Sequence, residues 1–139
     1  MPKTEPRSNP DPAPTSTTPT EQETNRLAAS RQFAMEIARL AQNTRCHNIL
    51  ILEMATVCPV TDYFVIATGT SARQMRTVCD QIDEMAEKMN FKCFRRSGYE
   101  ASTWIAADYV DVVVHVFDAE ARAYYDLENL WGDAKRIGF

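Results

Sequence analysis

The sequence predicts an α/β fold, a mixed five-stranded sheet flanked by helices, with elements in the order α-β-β-α-β-β-β-α. Two observations carry this reading. The run Asp111 to Phe117 is rich in β-branched residues, which fit a pleated sheet surface. Met75, Val78, Cys79, Ile82, Met85, Ala86 and Met89 recur at helical spacing and form an apolar stripe. No segment repeats, and the interleaving of strands with helices excludes a pure bundle or sandwich.

The elements follow in order. Thr20-Glu-Gln-Glu23 has capping-box spacing and opens a helix. Leu27, Phe33, Ile37, Leu40 and Ala41 continue it, so a first helix spans about 22–43. Asn48 to Met54, with Ile-Leu-Ile-Leu at its centre, reads as a short buried strand. Pro59 interrupts the connection, Thr61 to Thr68 is a second strand, and Gly69 ends it. Ser71-Ala-Arg-Gln74 is another capping box, and Asn90 stops its helix by adopting a left-handed conformation. Phe91 to Arg95 is a third strand, and 97–103 a loop. Strands follow at about 104–108 and 111–117.

In the last of these, Val112, Val114 and Val116 share one face, and Asp111, Val113, His115 and Phe117 the other. Both faces are mostly apolar, as in a central strand covered on both sides. A two-residue connection at Tyr109-Val110 would want positive φ at Val110, which a β-branched residue resists. A different turn, with Val110 at negative φ, is therefore expected. Asp118 caps a last helix over about 119–131, with Gly132 as its stop. On it Tyr124, Leu127 and Trp131 share a face expected in the core, with Tyr125 off that face.

Composition narrows the function. The chain of 139 residues is long enough for one domain with a real core. Fifteen basic against nineteen acidic residues give a net charge of −4. Direct sequence-specific nucleic-acid binding is not expected, because phosphate contacts need clustered Lys and Arg. A basic protein partner fits better. Residues 1–20 differ from the rest: six of the seven prolines lie at or before Pro19, amid Thr, Ser and Asn. Such a segment buries too little to offset its ordering entropy and reads as a disordered tail ahead of a domain at 21–139. The tail lacks the apolar run of a signal peptide, and its Glu5 and Asp11 are foreign to transit peptides. No window is apolar enough to span a membrane, so the bacterial cytoplasm is the expected compartment. Cys46, Cys58, Cys79 and Cys93 form no C-x-x-C pair and are expected as reduced thiols. Cys46 beside His47 is a poor metal site, since adjacent side chains on an ordered element diverge. No metal or cofactor is expected.

The segment Trp104-Ile-Ala-Ala-Asp-Tyr-Val-Asp111 places an aromatic pair beside two carboxylates, a combination that suits an interaction surface, the alternative being that Trp104 is core alone. Read with Pro59-Val-Thr-Asp-Tyr-Phe-Val-Ile-Ala-Thr-Gly-Thr-Ser71, Arg73-Gln-Met-Arg76 and Arg122-Ala-Tyr-Tyr-Asp-Leu-Glu-Asn-Leu-Trp131, it resembles the ribosomal silencing factor family, also called the Iojap family. The resemblance runs from about Asn48 to Asp133. It implies a non-enzymatic translational repressor. Such a factor binds a basic protein of the large ribosomal subunit, the fourteenth in the usual numbering, and blocks joining of the small subunit. A homodimer is compatible with it. It also implies a fold similar to a small nucleotidyltransferase core. By position, Trp104, Asp108, Tyr109 and Asp111 stand where the family's aromatic-acidic motif contacts the ribosomal protein, with Glu100 as a weaker candidate. Val110 stands where the family usually has Gly, Ser97 where it has Glu, and Glu53 where it has Asp. Ala106 and Ala107 are smaller than usual.

Rival readings are weaker. A nucleotidyltransferase would use a Gly-Ser at a helix start and two carboxylates two apart on a strand. Gly69-Thr-Ser71 opens a helix, but Asp108 and Asp111 are three apart across a turn and Asp62 stands alone. A hydrolase using Ser71 and His115 lacks the G-x-S-x-G elbow. Ser71 is sufficiently explained as a cap, and His115 as a hydrogen-bonded histidine in or beside the core. Arg73 and Arg76, one turn apart, are either a solvated face or part of a binding surface. An adaptor with a non-ribosomal partner, reached through the tail, is a third reading. Removing residues 1–19 should leave the melting temperature unchanged, because that segment has nothing to pack. A drop of several degrees in a thermal melt would make the tail part of the core.

Overall fold

The computed structural model describes residues 20–139; most of the expected tail lies outside them. Ten elements follow in order: α1 (Glu21–Asn43), β1 (His47–Glu53), β2 (Tyr63–Thr68), α2 (Ala72–Lys88), β3 (Arg95–Ser97), β4 (Trp104–Asp108), β5 (Val112–Phe117), α3 (Ala119–Tyr125), α4 (Leu127–Leu130) and β6 (Lys135–Ile137). The sheet has six strands in the order β3-β4-β5-β2-β1-β6. Only β2 and β5 run parallel, from Tyr63↔Val112 to Thr68↔Phe117; every other neighbouring pair is antiparallel. The α/β class and mixed sheet are as expected, with one strand more.

The two long helices start where the sequence places them. The Thr20 hydroxyl accepts from the Glu23 N–H at 3.1 Å, and the Ser71 hydroxyl from the Gln74 N–H at 3.0 Å. Gln74 completes its box one residue early, its Oε1 accepting from Thr70 N–H at 3.0 Å. Both helices bury their apolar stripes on one face of the sheet. Phe33, Ile37, Met75, Val78 and Ile82 meet Val65, Ile105, Val112, Val114 and Val116 there. Asn90 follows α2 at φ +66°, the left-handed residue expected to stop it.

Three elements depart from expectation. The third strand pairs at 95–97 rather than 91–95. Phe91 turns back and stacks on Phe33, with centroids 4.2 Å apart, so burying that ring outweighs extending the ladder. Gly98 then makes the turn at φ +79°, where a Cβ would lie 1.9 Å from the Trp104 carbonyl oxygen. The expected single last helix is broken at Asp126, which adopts φ 49° and ψ 52°. Leu127 consequently reaches a second core with Leu52, Met54, Ile66 and Phe117, while Tyr124 points into solvent instead of sharing Leu127's face. Arg122 ties this corner down. Its Nη1 donates to the Asn48 carbonyl at 2.5 Å and to the Thr68 hydroxyl at 2.9 Å, and its Nε pairs with Glu128 at 3.1 Å. The sixth strand, Lys135–Ile137, pairs with the outer edge of β1 and buries only Ile137.

The turn between β4 and β5 also reverses an expectation. Val110 has φ +74°, in the left-handed region. Two hydrogen bonds force it there. The Asp111 N–H donates to the Tyr109 carbonyl at 2.9 Å, closing a three-residue turn around Val110. The Asp108 carboxylate accepts from the Val110 N–H at 2.7 Å, a side-chain mimic of a turn. Together they over-determine a conformation that a branched side chain disfavours. Val110→Gly should therefore stabilise the fold by about 0.5–1 kcal/mol, strain relief outweighing the added freedom of the unfolded chain. Denaturant unfolding measures this, and a destabilised variant would show that Val110 is not strained.

Candidate functional site

The sheet's second face is only partly covered. α3, α4 and Val57 pack over its β1–β2 half. From there an aromatic belt crosses the sheet. Trp131 meets Phe64 edge-on at 6.2 Å, Phe64 meets His115 at 4.7 Å, and Trp104 lies against Phe117 at 5.0 Å and Tyr125 at 4.6 Å. Strand alternation explains why these rings share a side. Beyond the belt, where β2 and β5 begin, none of the described residues covers the sheet. Phe64, Val113 and His115 form the floor of an open groove there, and Cys58, Thr61 and Asp108 line it further. Val60, Phe94 and Val110 stand round it as exposed apolar residues, at 77%, 70% and 52% exposure.

The expected site residues divide between positions. Trp104 is half-buried in the belt, and its indole N–H donates to His115 Nδ1 at 3.0 Å. Asp108 sits on the groove wall, capping the Val110 turn. Asp111 lies just outside that turn and pairs with Arg26 at 3.0 Å. Asp62 shares the same guanidinium at 2.6 Å, so it does not stand alone. The two carboxylates, Asp62 foremost, raise the Arg26 pKa, against a smaller effect of burial. Glu100 is exposed in the β3–β4 loop, away from the groove lining. Tyr109 is on the opposite face. It is 3% exposed, meets Phe33 edge-on at 5.2 Å, and donates from its hydroxyl to Asp83 at 3.0 Å. Burial first, and then Asp83, pushes its pKa up. In the folded chain its ring therefore supports the hairpin from beneath rather than meeting a partner.

Nothing in the sequence marks Phe94, Val60 or Val110 as a binding residue. Phe94 reads as strand and Val60 as linker, and neither carries a motif; their signal is exposure, which appears only once the groove exists. Arg76, ambiguous in sequence, donates to the buried Ser102 hydroxyl at 2.7 Å and thereby braces the loop before β4.

Catalytic chemistry finds little support in these positions. Ser71 is occupied as a cap, and Asp62 and Asp111 are both taken up by the Arg26 guanidinium. Burial pushes the Cys79 thiol up to about 12 and raises that of Cys46, the opposite of an activated nucleophile. No group of metal-ligating side chains is present among the described residues.

The sequence profile described as "Ribosomal silencing factor during starvation" matches residues 27–139. The chain belongs to the ribosomal silencing factor family. It is 37% identical over 106 residues to the ribosomal silencing factor of Bacillus subtilis, spanning 76% of this chain and 90% of that one. To the ribosomal silencing factor of Halalkalibacterium halodurans it is 35% identical over 106 residues, spanning 73% and 91%. The fold is also similar to a crystal structure of a Chromobacterium violaceum protein, with TM-score 0.69 and 26% identity over 81% of this chain and 91% of that chain.

His115 gives this silencing-factor domain a pH dependence. Because the indole N–H can only donate, His115 Nδ1 is the acceptor and the neutral ring carries its proton on Nε2. Burial lowers its pKa from 6.5 to about 4. A depressed histidine binds its proton in the unfolded chain first, so stability is full above about pH 6.5 and falls as pH drops towards 4. Between pH 7 and 4.5 the native protein should lose about 2–3 kcal/mol more than His115→Gln, whose side chain does not titrate. Urea unfolding at both pH values tests this, and equal losses would remove His115 as the cause.

Proposed function

We propose that this chain is a cytoplasmic, non-enzymatic translational silencer that binds the large ribosomal subunit through a basic ribosomal protein and sterically blocks joining of the small subunit. The observation that carries this reading is the family match across 27–139, the whole of the folded domain except the first turns of α1. The surface chemistry supports it. The uncovered sheet face combines apolar groups with the Asp108 carboxylate, and the chain is net acidic at −4. Apolar anchors supply binding energy while carboxylates select a basic partner and speed its approach.

Trp104, Asp108 and Asp111 form the proposed contact surface, with Glu100 at its margin. Tyr109 contributes by holding the β4–β5 turn in place. No helix among the described residues is long and apolar enough to cross a membrane, which is compatible with a ribosome-bound role.

Co-sedimentation with purified subunits tests the reading. The chain should pellet with free large subunits and not with small subunits or joined ribosomes. Preincubation with it should lower the yield of joined ribosomes from purified subunits. Asp108→Asn should slow association and flatten its salt dependence, as expected for a charge that steers towards a basic partner. Equal pelleting with both subunits would sink the proposal.

A further inference from the structure

We propose that the groove at the uncovered end of the sheet seats one apolar side chain of the ribosomal partner, with an adjacent lysine or arginine of that partner meeting Asp108. This rests on the reading of the chain as a large-subunit binder and specifies how that surface works.

Three features of the groove lead here. The first is size. At about 430 Å³ it is a small cleft, suited to one or two side chains rather than a folded element. The second is its wall. Val60, Phe94 and Val110 come from three separate segments, yet all expose apolar surface around the same hollow. Single exposed apolar residues are unremarkable, but a converging set marks an interaction site. The third is charge. Among the described residues, Asp108 is the only charged one in the lining. One of its oxygens is used by the Val110 N–H, and it forms no ion pair among the described residues. Asp62 and Asp111 lie just beyond it and share Arg26. An apolar hollow beside an unpaired carboxylate selects an apolar anchor flanked by a cation.

Val110 then acquires a role. A branched residue held at φ +74° gains nothing for the turn that glycine would not supply better. Its side chain instead builds the groove wall. The strain is retained where the side chain makes a surface, as strained residues at ligand clamps do.

The test measures affinity of the full chain for purified large subunits, across a range of salt, alongside thermal stability. Phe94→Ala, at an exposed position, should fold normally and bind at least tenfold more weakly at every salt concentration. Val110→Gly should melt no lower than the native protein yet bind at least threefold more weakly, a combination that damage to the fold would not produce. Asp108→Asn keeps the acceptor for the Val110 N–H and should weaken binding about threefold to tenfold at low salt, with the difference fading as salt rises. If the native chain binds large subunits and both Phe94→Ala and Val110→Gly stay within twofold of it, the groove is not the seat, although the silencing-factor reading stands. If Asp108→Asn alone is unchanged, the adjacent cation is wrong. Failure of the native chain to bind would overturn this inference and the reading beneath it together.

Discussion

The parallel ladder between β2 and β5 is the constraint on which the remaining architecture depends. Parallel neighbours cannot be joined by a tight turn, so the chain must leave the sheet and return. It does so through α2, β3 and β4, which fixes α2 on one face and makes the β4–β5 hairpin the route back in. Because β2 and β5 start at the same end, the residues before them are brought side by side. The Asp62 N–H donates to the Asp111 carbonyl at 2.9 Å across this start. The groove, the Arg26 bridge and the strained turn all sit there for that one reason.

The two faces of the sheet are used differently. The face under α1 and α2 is closed by the two helices, with Val112, Val114 and Val116 of β5 all buried beneath them. The other is spanned by rings. Rings leave a layer with polar handles, the Trp104 N–H to His115 being one, and this layer ends before the sheet does. A short α3 and a one-turn α4 are too small to cover the rest. The uncovered strip therefore follows from the break at Asp126, which directs Leu127 into the core and spends the remaining chain on β6.

Much of this was legible in the sequence where periodicity is long. The α2 stripe, the capping residues Thr20, Ser71 and Asp118, and the alternation of β5 were each readable because one local rule governs several residues. The misses lie where a long-range contact outweighs a local preference. Phe91 leaves its strand for Phe33, and the last helix breaks so that Leu127 reaches partners on distant segments. β6 carries too short an alternation to be seen in Lys135-Arg136-Ile137. At Val110 the reasoning from side-chain sterics was sound, but the Asp108 carboxylate and the Tyr109 carbonyl together outweighed it. The surface was half legible. Trp104 and Asp108 were visible as an aromatic-acidic pair, while the inward aim of Tyr109 and the outward aim of Phe94 depend on which face each strand shows its helices.

The outermost strands of the sheet have something in common. β3 and β6 are each only three residues long, and each begins with two adjacent cations, Arg95-Arg96 and Lys135-Arg136. An open sheet edge offers unpaired backbone groups to any passing strand, and short edges carrying positive charge discourage that pairing. Four of the fifteen basic residues of an acidic chain are thus spent on its two borders. The borders of the sheet are thus poor templates for a further strand, while its apolar end stays open.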